Sequence, residues 1–69
     1  MKKLVFSLHA EERLAERGLN EEIVRQVIRN PEFVKVKAKE KKAIKKIAGK
    51  RRVVVYKEEE NYIKVITLY

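Results

Sequence analysis

The stretch Ser7-Leu8-His9-Ala10-Glu11-Glu12-Arg13-Leu14-Ala15-Glu16-Arg17-Gly18 decides the fold, because both of its ends carry helix punctuation. Ser7 is a good N-cap, since its hydroxyl can accept from a free backbone N–H of the first turn. Gly18 supplies the left-handed residue that commonly ends a helix. Glu11 and Glu12 lie early and Arg17 late, as the helix dipole prefers. A helix over about 8–17 follows. At about 100° per residue, Ala10 and Leu14 share one side, with Leu8 and Ala15 beyond them, and these are expected to face the core. His9, Arg13 and Arg17, spaced i, i+4, i+8, line another side together with Glu16. The stretch holds the only histidine and two of the six arginines.

On its C-terminal side a second helix is marked by Asn20 as N-cap, Glu21 and Glu22 in the first turn, and the apolar stripe Ile23, Val24, Val27 and Ile28. Asn30 closes it and Pro31 prevents its continuation. With Gly18 and Leu19 as the only link, the two helices form a tight αα-hairpin. On the N-terminal side Leu4-Val5-Phe6 reads as a short strand at a sheet edge. The three-residue apolar run is far short of a leader's hydrophobic region.

From Phe33 the period changes to alternation, with Val34, Val36 and Ala38 on one face of a half-buried strand. Lys39-Glu40-Lys41-Lys42 reads as a polar turn. Residues 43–48 have helical spacing and could end at Gly49, but Gly49-Lys50 also suits a hairpin turn, which favours a strand. Val53-Val54-Val55-Tyr56 is apolar on both faces, as in a central strand. Glu58-Glu59-Glu60 is a charged turn. In residues 61–69, Ile63, Val65, Thr67 and Tyr69 alternate with Tyr62, Lys64, Ile66 and Leu68. The expected fold is α+β: an N-terminal short strand and αα-hairpin, then a three- to four-stranded antiparallel β-meander with the helices on one face.

At 69 residues this is a single domain, 1–69, with a thin margin of stability. Ion pairs or a homodimer interface are the supports left to it. There is no cysteine, which fits a cytoplasmic setting and excludes disulfides and thiolate metal sites. With one histidine and no aspartate, neither a metal site nor a cofactor is expected. No apolar run approaches a membrane span. Charged residues make up 41% of the chain, mostly Lys and Glu, a profile common in heat-adapted proteins. The net charge of +8 is unevenly placed. Residues 1–32 hold six Lys/Arg and six Glu, residues 33–57 eleven Lys/Arg and one Glu, and residues 58–69 one Lys and three Glu. The middle block attracts polyanions, of which nucleic acid is the usual one; the plainer reading is a solvated face.

The run His9-Ala10-x-x-Arg13-Leu14-x-x-Arg17-Gly18-Leu19, with Glu21-Glu22-Ile23, Asn30-Pro31 and a closing Val65-Ile66-Thr67-Leu68-Tyr69, resembles a family of small prokaryotic domains of unknown function. Its members read H-A-x-x-R-(M/L)-x-x-R-G-I and close on a V-x-T-x-Y strand. Leu19 replaces the usual isoleucine, and residues 38–48 match poorly. That family is similar to the RelE/ParE-like toxins, in which a helical hairpin precedes an antiparallel sheet. The resemblance implies that fold. It also implies either ribosome-dependent RNA cleavage, as in RelE-type members, or action on gyrase, as in ParE-type members.

RNA cleavage requires orienting a 2′-hydroxyl, moving a proton and holding negative charge on phosphate. Arg51 and Arg52 are the first candidates for holding charge, then Arg13 and Arg17. His9 or a tyrosine (Tyr56, Tyr62 or Tyr69) could move the proton. Lys35, Lys37, Lys45, Lys46, Lys50, Arg51 and Arg52 are the candidate nucleic-acid contacts. Each has a plainer reading: Arg13 pairing with Glu16 or Glu12, Arg17 neutralising the helix end, Tyr56 and Tyr69 packing in the core. The expected function is a toxin-like domain that binds RNA or the ribosome through residues 35–52, with endoribonuclease activity in view and an acidic antitoxin-like partner on the same surface. The alternatives are a non-catalytic nucleic-acid- or protein-binding module and a ParE-like inhibitor of a protein target. Because residues 1–32 are neutral, His9-Arg13-Arg17 is expected to be a packed or ion-paired stripe. His9→Ala and Arg13→Ala should then lower thermal stability more than nucleic-acid binding.

Overall fold

The structure, a computed structural model, describes residues 2–69; Met1 lies outside them. The elements run β1 (Lys3–Phe6), α1 (Leu8–Glu16), α2 (Glu21–Arg29), β2 (Phe33–Lys37), β3 (Glu40–Ile47), β4 (Lys50–Glu58) and β5 (Tyr62–Leu68). The α+β class and the helical hairpin are as expected. The sheet has five strands in the order β1-β5-β4-β3-β2, and it is mixed rather than purely antiparallel. Strands β2 to β5 form the antiparallel meander, while β1 lies parallel to β5, with Leu4 opposite Ile63 and Phe6 opposite Val65. Two short segments that are distant in sequence thus become neighbours at one edge.

Local chemistry sets the helix ends. The Ser7 hydroxyl accepts from the Ala10 N–H at 3.0 Å and donates to the Ile66 carbonyl at 2.7 Å, while the Ser7 N–H donates to the Val65 carbonyl. One residue therefore caps α1 and fastens it to β5. At the other end Gly18 takes φ 63°. Its N–H reaches the Ala15 carbonyl, and the Leu19 N–H reaches that of Leu14, both bonds of a Schellman turn. In α2 the Asn20 side chain accepts from the Ile23 N–H at 3.0 Å. Leu8 and Ala15, expected inward, are exposed. Leu8 is the first helical residue, and only Ala10 and Leu14 turn to the core.

Residues 43–48 belong to β3 up to Ile47, and the turn falls at Ala38-Lys39 rather than at 39–42. Lys37 pairs with Glu40 and Ile47 with Lys50, giving two hairpins with two-residue turns. The second turn has Ala48 at φ 51° and Gly49 at φ 81°, the double left-handed geometry that suits the twist of paired strands.

The core lies between the helices and one sheet face: Leu4, Ala10, Val24, Val27, Ala43, Val54, Tyr56, Ile63, Val65 and Leu68. Leu68 joins it because β5 carries a bulge. Tyr56 opposes Val65 but Val55 opposes Thr67, so Ile66 is an extra residue. Strict alternation put Leu68 opposite to Ile63 and Val65; the bulge brings it back, and turns Thr67 and Tyr69 to the other face. Each helix is about 10 Å across and covers about two strands. Helix α1 lies on β5 and β1, and α2 on β3 and β4. Strand β2 is left uncovered, so the expected half-buried strand is exposed at all five residues.

Candidate nucleic-acid interface

Side chains alternate across a strand, so the ladder register assigns each residue to the helix-covered face or to the open face. The open face is built of cross-strand rows. One row is Phe33, Ile44, Val53 and Tyr69, closed by paired backbone hydrogen bonds between Val53 and Tyr69. On one side of it lie Lys46 and Arg51, opposite one another. On its other side lie Lys35, Lys42, Val55 and Thr67, and beyond them Lys37, Glu40, Lys57, Lys64 and Val5. A last pair, Lys3 and Tyr62, ends the face. Eight cations thus share this surface with one carboxylate, Glu40. At a screening length of about 10 Å their fields overlap.

This geometry divides the sequence candidates. Lys35, Lys37, Lys46 and Arg51 are on the open face. Lys45, Lys50 and Arg52 are on the helix side. Lys45 Nζ donates to the Asn30 carbonyl at 2.8 Å and so closes the end of α2. Arg52 and Lys50 line a separate hollow with Arg17 and Glu16. Arg51 and Arg52, adjacent in sequence, point to opposite faces and cannot grip one phosphate together. Tyr56 is 5% exposed and packed under the helices, away from the open face. Burial raises its hydroxyl above the usual tyrosine range, against a lowering by Lys41 and with a small further rise from Glu58.

His9 lies where α1 meets the open face. It lines an open hollow with Ser7, Glu40, Lys57, Lys64, Ile66 and Thr67. A second hollow continues across Lys35, Lys37, Lys42, Val55, Thr67 and Tyr69. Lys42, Lys57 and Lys64 were missed by reading the sequence as a basic block. Two-residue spacing was the signal that could have found them: Lys42 shares a face with Ile44 and Lys57 with Val53 and Val55, while Lys64 alternates with the buried Ile63 and Val65. The ion-paired stripe is not formed: among the described residues, neither Arg13 nor Arg17 bridges Glu12 or Glu16. Ion pairs instead join Glu58 to Lys2 at 3.2 Å and to Lys41 at 3.3 Å, and Arg25 to Glu21 at 3.4 Å. Among the described residues no His, Cys, Asp or Glu cluster is placed to hold a metal ion, and no described helix is long and apolar enough to cross a membrane.

No curated protein and no solved structure matches the chain. A family model does match, over residues 6–69, a span that takes in both helices, the whole meander and every open-face cation except Lys3. On that match the chain belongs to the domain family of unknown function DUF4258.

Proposed function

We propose that this domain binds RNA, free or within the ribosome, on the open face of its sheet, in the manner of a RelE/ParE-like toxin. The observation that carries this reading is the set of eight cations sharing, with one carboxylate, a sheet face that neither helix covers. The excess charge is gathered on the face that lacks helices, where a polyanion can reach it. Titration of a labelled RNA against salt tests it. Each phosphate contact contributes about −0.7 to the log–log salt slope for single strands, so a slope of about −2 or steeper is expected. No binding at low salt removes the proposal. An acidic partner protein, as an antitoxin would be, suits the same face and would compete with RNA. Like charge opposes a homodimer through it.

A second reading, RNA cleavage, is favoured by the hollow that brings His9 beside Lys57 and Lys64. There a 2′-hydroxyl would attack the adjacent phosphorus and lose its proton to His9. The lysines would hold the charge gathering on the phosphoryl oxygens, and the leaving 5′-oxygen would take up a proton from water. RNA incubated with the protein, alone and with translating ribosomes, should yield cyclic phosphate ends that His9→Ala abolishes. Intact RNA in both settings leaves a binding domain without catalysis.

A further inference from the structure

We infer that the open face is built for single-stranded RNA, with bases laid on the row Phe33–Ile44–Val53–Tyr69 and phosphates on the cations to either side. This rests on the RNA-binding reading and deepens it. The row crosses four strands and is apolar throughout. Its ends are open aromatics, with Phe33 69% and Tyr69 41% exposed. Its middle residues, Ile44 and Val53, are buried although no helix covers this side, and they stand apart from the core beneath the helices. Their same-face neighbours Lys42, Lys46 and Arg51 have long aliphatic stems that can shield such a floor while the charged ends stay in water. An apolar stripe flanked on both sides by cations matches a chain that carries planar bases on one side and phosphates on the other.

The spacing selects a single strand. Neighbouring strands lie about 4.8 Å apart, so the ends of the row are about 14 Å from one another. Stacked bases are about 3.4 Å apart. No two stacked neighbours can reach both rings, whereas a splayed strand can place separate bases on each. A duplex presents base edges and backbone, not base faces, to a protein surface. Base–aromatic stacking also tolerates any sequence, so binding should be single-strand selective with little base preference.

The test is fluorescence anisotropy with a short labelled oligouridine, the same sequence as DNA, and an RNA duplex of equal length. Phe33→Ala, Tyr69→Ala and Val36→Ala are compared with the unaltered protein, and circular dichroism checks their folding. Val36 is the control, being 65% exposed on the same strand but on the opposite face. Single-stranded RNA should bind about tenfold more tightly than duplex. Phe33→Ala and Tyr69→Ala should each weaken it by about tenfold, leaving the salt slope and Val36→Ala binding unchanged. If duplex binds equally well and both aromatic variants are silent, the stacking proposal falls while RNA binding stands. If the DNA strand binds as tightly as RNA, the assignment to RNA is overturned. If no nucleic acid binds, the functional proposal itself falls with it, and an acidic protein captured in a manner abolished by Phe33→Ala would reassign the row to a protein partner.

Discussion

Ser7 joins three features through a single side chain and backbone: the end of β1, the start of α1 and the bulged carbonyl of β5. Ser7→Ala removes the cap and leaves the Ile66 carbonyl without its donor, at a cost of about 1–2 kcal/mol. Thermal melting should show a fall of about 5–15 °C; no change would mean water replaces both bonds. His9→Ala, one residue from Leu8, should move the melting temperature far less, since His9 is exposed and lies in a hollow rather than the core. Ala48 is a residue with a side chain at φ 51° beside a glycine at φ 81°. Ala48→Gly relieves that conformation, and a gain of about 0.5–1 kcal/mol in denaturant unfolding is expected. A loss would show that the unfolded-state entropy of glycine outweighs the relief. Glu58 is held below the usual carboxylate range by hydrogen bonds from Lys2 and then Lys41. Its folded form releases its proton more readily than its unfolded form, so the contribution is present above the ordinary glutamate pKa and fades as pH falls through the lowered value. The pair is exposed, so the effect is small, and Glu58→Gln should flatten the acid limb of the stability curve only slightly.

Among the elements, the helices were the most legible. Ser7, Gly18, Asn20 and Asn30 mark their ends with side-chain and backbone chemistry that acts within a turn, and the structure follows them to within a residue. The strands were legible as strands but not as faces. In β5, strict alternation fails because Ile66 is an extra residue, and nothing local in Val65-Ile66-Thr67-Leu68 declares it. The bulge is imposed by partners, namely Tyr56 and Val55 on one side and Ser7 on the other. Leu68→Ala truncates the side chain that only this bulge brings inside, opposite Val54. That loss of a fully buried leucine should cost at least about 2 kcal/mol, read as reduced urea tolerance. Unchanged tolerance would mean that Leu68 is not part of the core. Exposure of β2 was equally hidden, because the coverage two nine-residue helices give depends on their placement over the sheet, which the pattern Val34, Val36 does not contain.

Across the molecule, charge was the legible part of the candidate site and its direction was not. The block 33–57 carries the positive charge, but only the ladder register separates Arg51 from Arg52 and brings in Lys64. Eight cations crowded on one face repel one another, while the ion pairs of Glu58 and Glu21 are exposed and worth at most about 1 kcal/mol each. Repulsion should win. Moderate salt is therefore expected to raise the melting temperature of the free protein, and a fall would mean that the ion pairs dominate.

The parallel pairing of β1 with β5 also governs how the chain can assemble. Leu4 meets Ile63 across almost the whole sequence. While the chain is being made, the first strand has no neighbour until the last one is complete, and Ser7 has neither the Val65 nor the Ile66 carbonyl to hold. The helical hairpin can form early from local contacts, but its fastening to the sheet must wait. Closing so long a loop is an entropic cost recovered only when several contacts form together. Folding should therefore be all-or-none, and slower than the short hairpins alone would set, with the sheet's first edge sealed at the end.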